Sequence, residues 1–234
     1  VPLKMYDMSD LASGDITEGL SALNDEYEKW INEQEAIAQA ELTGEFLQTA
    51  MRHIQSCRTC LQRMKDGVEL LKTNSIVNRA FRLMNRAMLL QQLHYGIDTR
   101  HWIVENGLIQ DLQEVPIPDI NDTSTWAKNP DARLRVGSWR PFQIAFILIN
   151  LNAMLDAHHP DRKMVDLIWF PTGGGKTEAY LGLSGFTIFL KKLKDKKINF
   201  EQLSDVFGFR AVVGSDEDCY RALGVLHRTW RMIP

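Results

Sequence analysis

Apolar and polar positions follow two rhythms along this chain, with one long interruption between them. From residue 17 to residue 94, apolar side chains return every three or four positions, the spacing of helices that bury one stripe. Three helices are predicted there: "EGLSALNDEYEKWINEQEAIAQA", a cysteine-containing one ending near Gly67, and "SIVNRAFRLMNRAMLLQQLHY". In the last, Ala80, Phe81, Met84, Ala87, Met88 and Gln91 recur at helical steps, while Arg79, Arg82 and Arg86 fall on other faces. Those arginines read as a solvated or ion-paired face in preference to a nucleic-acid contact. Ahead of the helices, residues 1–16 read as a loose leader with strand or turn potential.

The interruption spans residues 96–138, rich in Pro, Asp, Asn and Gly, and predicts an exposed connection. After it the pattern becomes almost wholly apolar. "WRPFQIAFILINLNAML" predicts a buried helix opened by Pro141, and "HHPDRKM" predicts a turn. "VDLIWF" suits a central parallel strand, and "KTEAYLGLSGFTIFLKKL" suits the helix that would follow it. The expected fold is therefore α/β: a helical N-terminal region (1–95), a connection (96–138), a partial RecA-like unit (139–193) and a short βα tail (194–234).

Charge changes this picture little. Lys plus Arg number 27 against 30 Asp plus Glu, so the balance of −3 does not announce a nucleic-acid binder. Residues 1–44 hold ten of the acids and two of the bases, so an acidic start precedes a mildly basic body. No run of eighteen apolar residues and no signal-peptide pattern occurs, which predicts a soluble, cytoplasmic protein without a membrane partner. Cys57 and Cys60, with His53 upstream, have the spacing of half a zinc site or of a redox pair. Their place in an amphipathic helix, and the distance to Cys219, favour packing in a helix seam.

The chemistry gathers between an apolar run and a helix, in "PTGGGKT". Gly173, Gly174 and Gly175 permit backbone angles that turn successive N–H groups toward phosphate oxygens, and the helix N-terminus adds positive potential there. Lys176 would reach the β- and γ-phosphates of ATP, and the Thr177 hydroxyl would ligate Mg²⁺. Thirty residues ahead of the first of these glycines, Gln143 offers a donor and an acceptor suited to the adenine edge, and Arg140 or Phe142 could cover the base. A buried amide at a helix start is the competing reading for Gln143. Phe170 stands where the general phosphate-loop pattern opens with glycine.

The stretch from Pro171 and Thr172 through Lys176 resembles the loop variant of superfamily 2 helicases, and "WRPFQ" is similar to their glutamine motif. With "AFRLMNRAMLLQ" and "HPDR", residues 30–193 resemble the helicase subunit of the bacterial DISARM anti-phage system. That resemblance implies a RecA-like motor coupling ATP hydrolysis to movement on DNA, with defence-system subunits as partners. It carries over to Gln143, to Pro171, Thr172, Gly173, Gly174, Gly175, Lys176 and Thr177, and to Glu178 as a further candidate. The second carboxylate motif that such a motor needs is not matched. In "RAVVGSDED", Gly214 and Ser215 separate the apolar run from the acids, which read better as the first turn of a helix.

The tail, "KKINFEQLSDVFGFRAVVGSDEDCYRALGVLHRTWRMIP", resembles the opening of the synthetase domain of RelA/SpoT-type alarmone enzymes, which move pyrophosphate from ATP to GDP or GTP. By that resemblance Asp205 is a Mg²⁺ ligand and Arg210 ends the same stretch; a helix cap or a surface acid is the competing role for Asp205. The two resemblances meet near residues 191–198 with no linker between them. This points to two joined fragments, from sequence assembly or from gene fusion, with assembly favoured. The expected function is the ATP-binding front of a DNA-dependent ATPase, inactive in this form. The alternatives are a fragment of a (p)ppGpp synthetase and a non-enzymatic helical module.

Overall fold

The computed structural model describes residues 3–95, 102–105, 108–111, 119–122, 137–169, 173–196, 215, 217–218 and 220–221. The chain divides into two compact units, residues 1–198 and 199–234. Three long helices form where the periodicity places them: α1 (Thr17–Glu41), α2 (Gly44–Thr73) and α3 (Ser75–Tyr95). A hairpin of β1 (Trp102–Glu105) and β2 (Leu108–Asp111) follows, and then α4 (Pro141–Leu155), a 3₁₀ turn (Pro160–Lys163) and α5 (Lys176–Lys196).

The helices pack through the stripes that their sequences define. α1 lies on α2, α2 on α3 and α4, and α5 on both α3 and α4. In the α1–α2 seam Ile31, Ala38, Ile54 and Leu61 are buried, with Tyr27, Met51 and Cys57 against them. Cys57 is thus a seam residue, as the helical spacing suggested. Tyr27 bonds to that thiol, and burial pushes its hydroxyl above its usual range. α2 does not end at Gly67. It continues to Thr73, and Gly67 marks its crossing with α4, where a Cβ would sit 2.4 Å from the Leu148 carbonyl oxygen. Only glycine allows the two backbones to approach so closely.

α4 is apolar around most of its circumference because α2 and α5 cover it from two sides. Ile144, Ile147, Leu148 and Leu151 are fully buried. The leader is not loose. Met5 and Trp139 donate backbone N–H groups to Gly137 and Leu3, so residues 3–5 pair with residues 137–139. Arg82 donates to the carbonyls of Ser9, Ala12 and Gly14, and Arg86 pairs with Asp10. Two of the three α3 arginines therefore bind the leader, Arg86 through an ion pair and Arg82 through backbone carbonyls.

The α/β expectation is overturned. The described residues form helices, and their one sheet is the antiparallel β1–β2 hairpin, in which Trp102 faces Asp111 and Glu105 faces Leu108. Among the described residues there is no α/β RecA-like unit. Of residues 165–170, expected as a central strand, the described 165–169 run without a ladder. A strand leaves alternate N–H and C=O groups unpaired unless a neighbour takes them, and no neighbouring strand takes them among the described residues. Val165, Leu167 and Trp169 are accordingly 95%, 79% and 91% exposed. Arg63 of α2 holds this segment instead. Its guanidinium donates to Asp166 at 2.8 and 3.0 Å, to Asp161 at 2.8 Å and to the Ile149 carbonyl at 3.3 Å. The adjacent Asp166 and Asp161 hold its proton more tightly than usual.

In the second unit, Ser215 accepts the Asp218 N–H at 3.2 Å, and residues 217–218 and 220–221 are helical. This N-cap geometry fits acids in the first turn of a helix, as the sequence suggested. The expected strand at residues 210–214 lies outside the described residues.

Candidate phosphate-binding site

Two elements build the candidate site. The first is the start of α4, where Pro141 takes a position whose N–H would have no helical partner. The second is the loop of Gly173, Gly174 and Gly175, which runs directly into α5. Gly173 and Gly175 have φ of +79° and +88°, the left-handed region that glycine enters without strain.

Side chains from the α4 start grip this loop from behind. Arg140 Nη1 donates to the Gly174 carbonyl at 2.7 Å, and Gln143 Nε2 donates to the Gly175 carbonyl at 2.8 Å. The other end of the same amide is also used, because Gln143 Oε1 accepts the Arg140 N–H at 2.7 Å. One donor and one acceptor as partners fix which end of the amide is oxygen. Within a trans peptide, the carbonyl and the next N–H point in opposite directions. The N–H groups of Gly175 and Lys176 therefore face away from Arg140 and Gln143, side by side at the N-terminus of a 21-residue helix. Such an arrangement presents a concave set of donors to an anion.

Space is close behind the loop. A Cβ on Gly175 would come within 2.6 Å of Gln143 Nε2 and 3.2 Å of Glu178 Oε2. That Glu178 oxygen is buried and has no hydrogen-bond partner among the described residues. Phe142, Phe146, Trp169, Cys60 and Arg63 line an open cavity of about 530 Å³. Burial pushes the Cys60 thiol above its usual range. Phe146 also meets Tyr180 of α5 edge-on at 5.6 Å, joining the two helices that carry the site.

Gln143, Gly173, Gly174, Gly175, Lys176 and Thr177 thus meet at one place, with Gln143 buried and Thr177 exposed. Pro171, Thr172 and Asp205 lie outside the described residues. Sequence reasoning missed the Arg140 contact to the loop and the Arg63 clamp. Arg140 does carry a signal, since it sits in the same motif as Gln143.

Comparison with known proteins gives two separate likenesses. The chain is similar to the DISARM protein DrmA of Bacillus paralicheniformis, 34% identical over 180 residues, which is 74% of this chain and 13% of that protein. Residues 186–234 match the region found in RelA / SpoT proteins. Over 44 residues the chain is 57% identical to the GTP pyrophosphokinase rsh of Brucella melitensis, covering 19% of this chain and 6% of that one. The probable chloroplastic GTP diphosphokinase RSH3 of Arabidopsis thaliana is 41% identical over 49 residues, or 21% of this chain and 7% of its own length. The chain therefore spans a small part of each relative. The RelA/SpoT match begins inside α5, eight residues before the boundary expected at residue 194. No helix among the described residues is long and apolar enough to cross a membrane.

Proposed function

We propose that this chain carries the ATP-binding front part of a DNA-dependent ATPase related to the DISARM protein, and that it binds Mg-ATP without turning it over. One observation carries the reading. The loop of Gly173–Gly175 enters α5 with its carbonyls held from behind by Arg140 and Gln143, leaving the Gly175 and Lys176 N–H groups on the open side. Lys176 adds a positive charge for the β- and γ-phosphates, and Thr177 an exposed hydroxyl for Mg²⁺. Similarity to DrmA over most of the chain supports the same reading. DNA and further defence-system subunits would be partners of the longer protein. Turnover needs a second carboxylate to activate water, and Glu217 and Asp218 lie in a helical turn capped by Ser215. The test is calorimetric titration of the full chain with Mg-ATP. Lys176→Ala should weaken binding tenfold or more, a loss of about 1.4 kcal/mol or greater. Unchanged affinity in that variant would remove the site.

A second reading rests on the match of residues 186–234 to the RelA/SpoT region. It makes Asp205 a Mg²⁺ ligand in a fragment of a pyrophosphate-transferring enzyme. It expects Asp205→Ala, and not Lys176→Ala, to abolish guanine-nucleotide binding. The reverse pattern would leave the first reading standing alone.

A further inference from the structure

Gln143 is the residue expected to read adenine, and its hydrogen bonds argue for another task. Reading a purine edge takes the amide oxygen and an amide N–H together, side by side and open to the ligand. Here the oxygen holds the Arg140 N–H and the nitrogen holds the Gly175 carbonyl, with only 4% of the residue exposed. The amide keeps a second lone pair and a second N–H, but with the residue almost wholly covered they do not present an open edge to a base. The second candidate for covering the base is also engaged, since the Arg140 guanidinium is drawn to the Gly174 carbonyl.

We propose that this site recognises the polyphosphate of a nucleoside triphosphate and does not select the base, so that ATP and GTP bind it alike. The proposal rests on the nucleotide-binding reading above. It makes Gln143 and Arg140 positioning residues: they set the two peptide planes whose N–H groups face the phosphates, and they act on any nucleotide equally. Gln143→Leu should therefore weaken both nucleotides by the same factor, because what it removes is the order of the loop.

The test is titration of the full chain with Mg-ATP and with Mg-GTP, before and after Gln143→Leu. The expected result is two dissociation constants within about threefold of each other, and a parallel loss for both in the variant. ATP bound about tenfold or more tightly than GTP, or a variant that loses ATP while retaining GTP, would overturn the proposal and leave the nucleotide site in place. Failure of both nucleotides to bind the unaltered chain would overturn the nucleotide-binding reading itself. Should Gln143→Leu lose its helical circular dichroism, the ATP-to-GTP ratio of the unaltered chain decides alone.

Discussion

α4 and the segment 164–169 are both apolar stretches of the chain, and they end in opposite situations. α4 is enclosed between α2 and α5, whereas the segment turns Val165, Leu167 and Trp169 outward. The difference lies in the backbone. A helix satisfies its own N–H and C=O groups, so any apolar surface that approaches can bury it. A strand must find a hydrogen-bonding neighbour before its side chains can be covered, and hydrophobicity alone does not supply one. The segment is placed instead by charge, through Asp166 on Arg63. Apolar content therefore tells how much surface should be buried, and backbone pairing tells whether it can be.

The contrast can be broken first at its buried side. Leu148→Ala should cost about 2–5 kcal/mol in urea unfolding, since Leu148 is fully buried where α4 crosses α2. A loss below about 1 kcal/mol would mean that α4 is not enclosed as described. Next comes the clamp. Arg63→Met keeps the stem and removes the donors to Asp161 and Asp166, which should cost about 2 kcal/mol and expose residues 164–169 to proteolysis. Unaltered cleavage would show that the segment is held by something other than the ion pair. The smallest effect is expected on the exposed segment: Trp169→Gln should shift stability by no more than about 0.5 kcal/mol. A large loss there would reveal a covered ring and close the gap between the two regions.

What could be read from the chain follows the same division. α1, α2, α3, α4 and α5 were all legible, because the period of a helix and its Pro or Gly punctuation are written within a few turns. The strand was misread because "VDLIWF" has the right residues, while the neighbour it would need lies elsewhere in any chain. The Arg63 clamp joins residues 98 and 103 positions apart, and no local pattern marks such a pair. At the site, several of the residues singled out lie together, and Gln143 holds a carbonyl there. An amide can bond a base or a carbonyl, and the choice depends on a loop folded 32 residues away.

The helix leading out of the glycine loop has a consequence for where this protein can be divided. Likeness to the RelA/SpoT region begins at residue 186, yet Phe186, Phe189, Leu190 and Leu193 are buried in the first unit, on a helix that rests on α3 and α4. Ancestry and packing thus draw their borders at different residues. A shortened gene that stopped at the border of likeness would strip the inner lining from the last helix and leave α3 and α4 with an open trough. One that ran to residue 198 would keep that lining whole. Whatever history joined the two stretches, the last turns of this helix now belong to the body they close.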